Sequence, residues 1–307
     1  MRVLVSAVLL LGGISLAGAA EWQLTTANAN SAHPTWCGNN IVFHSDRESG
    51  VFQIWGIGES GESRAWRLTN QPWRTFTEPS WQCGERFVAF HGLHGAGPDT
   101  IWIVYDIGPP TFVPIPVTRG NGDDRSACYG PVQPGPNRIA FHSDRWSHDD
   151  VFGMPEGGEA RSVTRLTTNP AEDRYPAVSP DGRWIAFASD RSGNFDIWVM
   201  SVAGEADSLR QVTSGPENDL EPAWSPGGTH IAFARGGVGI VAVDEQSRTE
   251  HQVTSNAGDT SPAWSPEGDL IAFTRPGAHD QIWCTDNTPP GSPAEMRTWG
   301  GIKALYR

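Results

Sequence analysis

Long hydrophobic runs are scarce in this sequence, and that scarcity limits what the chain can be. The most apolar stretch, Val3 to Leu11, is shorter than the roughly 18 residues that a membrane-spanning helix needs. Arg2 precedes it and the small residues Ala17-Gly18-Ala19 follow it, an order typical of a secretory signal peptide. We therefore expect residues 1–20 to be a signal peptide, the mature protein to be periplasmic or secreted, and no segment to insert into a membrane.

Positive charge is also in short supply. The 307 residues include 22 Lys and Arg against 35 Asp and Glu, a net charge of −13, and Lys303 is the only lysine. Removal of Arg2 with the signal peptide makes the net charge of the mature chain −14. A surface of that sign repels phosphate backbones and anionic lipid. We therefore predict that nucleic acid is not a partner.

The common catalytic motifs are absent. No G-x-S-x-G nucleophile elbow, HExxH motif or P-loop occurs, and no G-x-G-x-x-G pattern stands in a strand-to-helix setting. The four cysteines, at positions 37, 83, 128 and 284, show no CxxC or CxxH spacing that would favour zinc. We predict no cofactor and regard an enzyme as the less favoured class of function.

What the sequence does contain is a repeat, most clearly seen in Tyr175 to Trp198, YPAVSPDGRWIAFASDRSGNFDIW. Aligning the chain on this stretch returns six copies, 40 to 51 residues apart. A period in that range, built from strands only, is typical of propeller blades. The copies are marked by the phenylalanine that closes the second strand of each: Phe43, Phe90, Phe141, Phe187, Phe233 and Phe273.

Each copy predicts a four-stranded blade. Ser179 to Gly182, SPDG, predicts a tight hairpin turn, with Pro setting φ and Gly accepting the left-handed conformation. The next strand, Trp184 to Ala188, alternates large and small side chains, as suits a sheet packed between two neighbours. A third strand carries Ile-Trp, and a fourth ends in Leu or Val followed by Thr. We predict an all-β fold, a six-bladed β-propeller of four-stranded antiparallel blades that fills residues 21–307 as one domain.

Closure of the ring needs one more outer strand. Residues 22–25, Trp-Gln-Leu-Thr, copy the fourth strand but have no blade before them, so they are predicted to pair with the last blade. Met296 to Thr298 and the following Trp299 offer an alternative strand for the same slot. Cys37 and Cys83 fall near equivalent turns of the first two repeats, and a disulfide between them is one pairing that the sequence leaves open.

At the motifs P-x-W-S-P-x-G, I-A-F, S-D-R and I-W, the sequence resembles the TolB-type, or WD40-like PD40, propeller family. The copies cover nearly all of the mature chain. The resemblance implies a propeller that binds a protein in the cell envelope. TolB proper also carries a separate N-terminal domain, for which residues 21–33 leave no room, so the resemblance is to the propeller alone.

Histidine recurs at one position of the repeat. His44, His91 and His142 each follow the closing Phe of the second strand. Because consecutive strands are antiparallel, His33, Glu78 and Glu221 are predicted at the same end of the blades. Converging His and carboxylate groups suit a metal or acid–base chemistry. Equivalent positions on successive blades are expected to lie too far apart to share one ion, at the ~2.0 to 2.1 Å that zinc requires. The alternative is that these histidines hydrogen-bond the adjoining Asp46 and Asp144 loops.

The loops that enter the first strands carry acidic and aromatic residues. An acidic rim with large aromatic side chains is typical of a protein or peptide site. We predict that this rim binds a partner through Trp73, Phe76, Glu78, Asp123, Asp124 and Trp146, together with His33, His44, His91, His142 and Glu221. The recurring Ser-Asp-Arg groups are predicted to be scaffold, with Asp accepting backbone N–H groups of its own loop and Arg lying over an aromatic ring.

The leading hypothesis is thus an exported, non-catalytic propeller that binds a protein or peptide partner on its acidic loop face. Two alternatives stay open. One is a metal-assisted polysaccharide lyase or hydrolase that uses the histidines, similar to oligogalacturonate lyases, which are also propellers. The other is a propeller related to prolyl oligopeptidase-type peptidases that lacks their catalytic domain.

Overall fold

A computed structural model describes residues 21–58, 65–81, 87–93, 97–105, 114–130, 139–155, 162–203 and 208–286. Within these ranges every regular element is a β-strand, and the 24 strands form six four-stranded antiparallel sheets. No helix in this part of the chain is long and apolar enough to cross a membrane. Residues 1–20, Cys83 and residues 296–299 lie outside the described residues. The signal peptide, the Cys37–Cys83 disulfide and the alternative C-terminal strand therefore stay predictions.

The sheets are the six blades, which follow one another along the chain. Blade 1 holds β2 (Ser31–Cys37), β3 (Asn40–Ser45), β4 (Gln53–Gly58) and β5 (Trp66–Arg67). Blade 2 holds β6 (Phe76–Trp81), β7 (Phe87–Gly92), β8 (Thr100–Tyr105) and β9 (Ile115–Pro116). Blade 3 holds β10 (Asp124–Tyr129), β11 (Ile139–Ser143), β12 (Asp150–Met154) and β13 (Thr164–Arg165).

Blades 4 to 6 have the same order of strands. Blade 4 holds β14 (Asp173–Val178), β15 (Trp184–Ser189), β16 (Asp196–Ser201) and β17 (Arg210–Gln211). Blade 5 holds β18 (Asp219–Trp224), β19 (His230–Arg235), β20 (Gly239–Asp244) and β21 (Glu250–Gln252). Blade 6 holds β22 (Thr260–Trp264), β23 (Leu270–Arg275) and β24 (Gln281–Asp286), with β1 (Glu21–Gln23) as its fourth strand. The predicted fold is confirmed.

The hairpin turns form as the SPDG pattern predicts. The N–H of Gly182 donates to the carbonyl of Ser179 at 2.9 Å, and Gly182 has a φ of 70°. The Ser179 hydroxyl also accepts the backbone N–H of Trp184 at 3.0 Å. Blades 5 and 6 repeat both bonds through Ser225 and Ser265. Only a residue without a Cβ adopts this conformation at little cost, which explains the glycine.

The N-terminal strand closes the ring. In the register between β1 and β24, Trp22 lies opposite Cys284. The hydroxyl of Thr25 accepts the backbone N–H of Ile282 at 2.9 Å. The corresponding Thr of each other blade makes the same bond to its own third strand: Thr69, Thr118, Thr167, Thr213 and Thr254. Thr25 therefore makes in blade 6 the hydrogen bond that the fourth-strand threonine makes in each other blade. The ring is closed by hydrogen bonds between the two ends of the described chain.

The core lies between blades rather than within one. On β15, Ile185 and Phe187 pack against blade 3, whereas Ala186 and Ala188 face blade 5. This is the two-sided burial that the alternation of large and small residues predicts. Apolar clusters of the same kind fill each of the six contacts between neighbouring blades.

The Ser-Asp-Arg groups are scaffold, although their contacts differ from the prediction. Arg191 lies over the ring of Phe187 at 5.3 Å and pairs with both oxygens of Asp173, each at 2.8 Å. Asp190 accepts the N–H of Glu172, at 2.9 Å, so it caps the loop entering the first strand rather than its own loop. Arg145 and Arg235 repeat the pairing with the first-strand aspartates Asp124 and Asp219, and Arg275 pairs with Asp259, just before the first strand of blade 6.

Blade 2 breaks this rule, and the prediction for Phe76 is wrong as a result. Phe76 occupies the place of the first-strand Asp and is fully buried against Phe90 and Trp102. Gly92 provides the space, since a Cβ there would lie 2.6 Å from the Phe76 ring. Phe76 therefore belongs to the core between blades 1 and 2 and offers no surface to a partner.

Candidate functional site

Six residues, one per blade, form a ring around the centre of the propeller. Each is the third residue of its first strand except in blade 6, where it is the second, and each lies where the register with the second strand shifts. All six have a positive φ, between 49° and 55°, which is uncommon for residues other than glycine. A bulge of this kind re-aims a side chain. The channel ring consists of His33, Glu78, Ser126, Tyr175, Glu221 and Ser261.

The ring adjoins a central cavity of about 450 Å³. The first strands of all six blades line it, and the prolines of the SPDG-type turns, Pro180, Pro226 and Pro266, lie at its far end. Trp36, Trp81, Tyr129, Trp224 and Trp264 contribute aromatic walls between the ring and those turns. Its volume lies in the range of small-ligand sites, about 300 to 1,000 Å³.

Hydrogen bonds join one side of the ring from blade 5 to blade 1. The Ser261 hydroxyl lies 3.0 Å from Oε2 of Glu221 and 3.2 Å from Nδ1 of His33. A hydroxyl has one proton, so when Ser261 donates to Glu221 it accepts from His33. The His33 ring in turn stacks on His44, with 5.1 Å between the ring centres.

Glu78 is the centre of the other side. Its Oε2 accepts the hydroxyl of Ser126 at 2.5 Å and lies 3.4 Å from Nδ1 of His91. Burial alone would raise the pKa of Glu78, but His91, His33 and the Ser126 hydroxyl hold that pKa well below its usual value. The group therefore stays ionised at neutral pH.

Two of the three repeated histidines join neighbouring blades. Nδ1 of His44 accepts the backbone N–H of Glu78 in the next blade at 3.1 Å, and Nδ1 of His142 accepts that of Tyr175 at 3.4 Å. Thr274 of blade 6 does the same for His33, at 2.9 Å. The predicted contacts of these histidines with the Asp46 and Asp144 loops are therefore wrong.

Accepting a backbone N–H requires the imidazole nitrogen to be unprotonated. Burial, reinforced by the nearby His33, lowers the pKa of His44 well below its ordinary value. Burial likewise lowers the pKa of His142 to about 3. Both rings are therefore neutral at physiological pH and act as acceptors that hold one blade to the next.

His91 differs from the other two. Its Nε2 bonds the hydroxyl of Thr77 in its own blade at 2.7 Å. The three histidines thus use different hydrogen-bond partners. Among the described residues, no group of three or more His, Cys, Asp or Glu side chains has the geometry to hold a metal ion.

Tyr175 completes the ring between Ser126 and Glu221. It touches the His142 ring edge-on, with 5.5 Å between ring centres. Burial, then the charges of Glu221 and Glu78, raise the pKa of Tyr175 to about 12. The tyrosine therefore keeps its proton, and its pKa reflects the negative charge of two carboxylates at the cavity.

The other predicted rim residues lie outside the cavity lining, in or next to the loops that enter the first strands or that join the second and third strands. Trp73 is 75% exposed and Trp146 is 60% exposed. Asp123 is ion-paired with Arg125 at 2.5 Å. Asp124 is only 1% exposed and is held by Arg145, so it is not available to a partner. None of these residues lines the cavity, which the prediction had not distinguished from the rim.

Sequence reasoning missed three members of the ring: Ser126, Tyr175 and Ser261. The pattern that would have identified them is positional. Five of the six ring residues immediately precede a proline, as His33 precedes Pro34, and only Ser126 does not. The prediction chose His33, Glu78 and Glu221 because their side chains are ionisable. It omitted the residues at the same repeat position in the other three blades, which are Ser126, Tyr175 and Ser261.

The repeat can now be compared with known proteins. A family model described as the TolB beta propeller domain, PD40, matches residues 116–288, more than half of the chain. The chain belongs to the PD40 family. A search of curated proteins found no significant match. The PD40 match covers blades 3 to 6, whereas His44, His91 and Trp73 lie before it, in blades 1 and 2.

Several solved structures resemble this PD40 propeller. The putative TolB from Agrobacterium tumefaciens is 18% identical, with a TM-score of 0.64, over 89% of this chain and 99% of that one. TolB from Acinetobacter baumannii is 17% identical, with a TM-score of 0.62, over 85% and 64%. An oligogalacturonate lyase in complex with manganese is 11% identical, with a TM-score of 0.55, over 90% and 94%. At these identities the likeness is one of fold.

Proposed function

We propose that this PD40 propeller is an exported, non-catalytic protein that binds a protein or peptide partner on its loop face. The loop face is the end of the propeller formed by the loops that enter the first strands and those that join the second and third strands. The observation that carries the proposal is the pair of exposed indoles there. Trp73 lies in the loop before β6, and Trp146 in the loop between β11 and β12.

Exposed tryptophans are unusual on a surface that has no partner. Trp is enriched among the residues that dominate binding energy at interfaces. Trp146 is also held in place, since the guanidinium of Arg165 lies 4.9 Å from its ring centre. A ring that is ordered before binding loses less entropy when a partner covers it. The loop face therefore presents two large apolar anchors, one of them fixed.

Charge contributes less to this face than the composition suggests. Arg125 bridges Asp99 and Asp123 at 2.6 and 2.5 Å. Arg174 similarly bridges Asp149 and Glu172 at 2.5 and 3.2 Å. The two arginines balance half of the charge of these four carboxylates, so the aromatic anchors rather than net charge support the choice of partner site.

Site-specific photo-crosslinking in native cells tests the proposal. A photoreactive phenylalanine analogue replaces Trp73 in one variant and Trp146 in another, and a third variant carries it at Ile115 as a control. Ile115 is 46% exposed but lies on the outer strand of blade 2. We expect one discrete adduct shared by positions 73 and 146 and absent at 115. No adduct, or the same adducts at all three positions, would contradict the proposal.

A further inference from the structure

The central cavity contains two carboxylates, and no lysine or arginine stands in its described wall. Glu78 and Glu221 both line it, and their blades are three apart in a ring of six, so they lie on opposite sides. His33 is the one basic side chain in the described lining, and it faces Ser261 and His44.

The two carboxylates are fixed without being neutralised by a salt bridge to Lys or Arg. Ser126 donates to Glu78, and the backbone N–H and hydroxyl of Ser261 both donate to Glu221, at 2.6 and 3.0 Å. In each case the donors reach Oε2, and His91 also approaches Oε2 of Glu78, at 3.4 Å, so these contacts hold one oxygen of each carboxylate. Hydrogen bonds from neutral donors orient a negative charge and leave it available to a cation.

The walls beyond the carboxylates are aromatic and rigid. The indole N–H of Trp224 donates to the carbonyl of Ala177 at 3.0 Å, and that of Trp264 to the carbonyl of Ala223 at 3.1 Å. Both bonds cross to the preceding blade, so each ring is locked at a blade junction. Aromatic faces attract cations through the ring quadrupole, most strongly for Trp and away from water.

We propose that the cavity binds an organic cation, an ammonium or guanidinium group on a small apolar body. Carboxylates at one end supply opposite charge, and indole walls accept the apolar part. A volume of about 450 Å³ accommodates such a ligand and greatly exceeds the space of a bare metal ion. The site uses residues different from those of the loop-face proposal, because Trp73 and Trp146 do not line the cavity.

Calorimetric titration with matched pairs of probes tests this site. Benzylammonium and benzyl alcohol differ mainly in charge, as do N-acetyl-arginine amide and N-acetyl-citrulline amide. We expect the cation of at least one pair to bind about tenfold or more tightly than its neutral partner, with the difference shrinking at high salt. Preference for the arginine probe indicates a basic side chain of a peptide as the ligand; preference for benzylammonium indicates a free amine.

Variants assign the binding to the cavity. Glu78→Gln and Glu221→Gln keep the shape of each side chain and are each expected to weaken the cation about tenfold. Glu217→Gln, an exposed acid on the loop face, is the matched control and should change nothing. Glu221→Gln alone decides the result should Glu78→Gln fail to fold. Equal affinity for charged and neutral probes, no binding at millimolar concentration, or equal loss in Glu217→Gln would overturn the proposal.

Discussion

Acid should weaken the contact between blades 3 and 4 by protonating His142. The variant that tests this is His142→Ala, because other blades already have alanine at the equivalent position. The positions equivalent to His142 in blades 4 and 5 are Ala188 and Ala234, so His142→Ala restores a side chain that the fold already accommodates there. In the native protein, Nδ1 of His142 accepts the backbone N–H of Tyr175. Protonation would turn Nδ1 of His142 into a donor that faces the N–H of Tyr175, so the hydrogen bond would be lost.

The sign and size follow from the pKa. The folded protein lowers the pKa of His142 to about 3, whereas an exposed histidine in the unfolded chain has a pKa near 6.5. The unfolded state therefore binds more protons, and stability falls as the pH drops from about 6.5 towards 3. Between pH 7 and pH 4.5, His142 alone accounts for a loss of about 2.5 kcal/mol of unfolding free energy. His44 shifts in the same direction and adds to the loss.

Urea unfolding at pH 7 and pH 4.5 measures this effect. The stabilisation that comes from the lowered pKa of Glu78 is lost below about pH 4.5, outside the chosen window. The wild type should lose about 2.5 kcal/mol more than His142→Ala between the two pH values. His230→Ala, which removes a half-exposed histidine, should behave as the wild type does. Equal losses in the wild type and His142→Ala would refute the account of His142 as an acceptor between blades.

Three further predictions concern closure, scaffold and export. Thr25→Val removes the acceptor of the Ile282 N–H at the closing strand and should lower the unfolding free energy by about 1 to 3 kcal/mol, whereas Thr249→Val at an exposed turn should change it by less than about 0.5 kcal/mol. Asp173→Ala leaves the largely buried Arg191 without its carboxylate and should cost about 3 to 5 kcal/mol by chemical denaturation; a loss below about 1 kcal/mol would show that the pair is not structural. Intact mass of the protein recovered from the cell envelope should correspond to a chain beginning at Glu21, and a mass that retains residues 1–20 would contradict export by a cleaved signal peptide.

Local patterns predicted the fold because each one carries its own physical cause. The SPDG turn needs a proline, which fixes φ, and a glycine in the left-handed conformation. Gly182 has the positive φ and the hydrogen bond to Ser179 that this turn requires. The closing strand was recognisable because Thr25 repeats a threonine whose hydroxyl bonds the third strand in every blade. Such features depend on a few adjacent residues, so they remain recognisable in repeats whose other residues differ.

The candidate site was harder to predict because its contacts join distant parts of the chain. Phe76 looked like a rim aromatic, and only its pairing with Gly92 shows that it fills the core. His44 and His142 bond the backbone of the following blade, 33 or 34 residues on, which no spacing within one repeat reveals. The sequence also did not separate the cavity from the loop face, because only the three-dimensional structure shows which residues line the cavity.

The affinity of the crosslinked partner for a Trp73→Ala, Trp146→Ala double variant tests the central claim most directly. Exposed substitutions of this kind leave folding stability within about 0.5 kcal/mol, so a change in binding can be assigned to the face itself. Loss of two interface anchors worth about 2 kcal/mol each, about 4 kcal/mol together, predicts that the dissociation constant rises by roughly 1,000-fold. A dissociation constant that equals that of the wild type would contradict the loop face as the binding site.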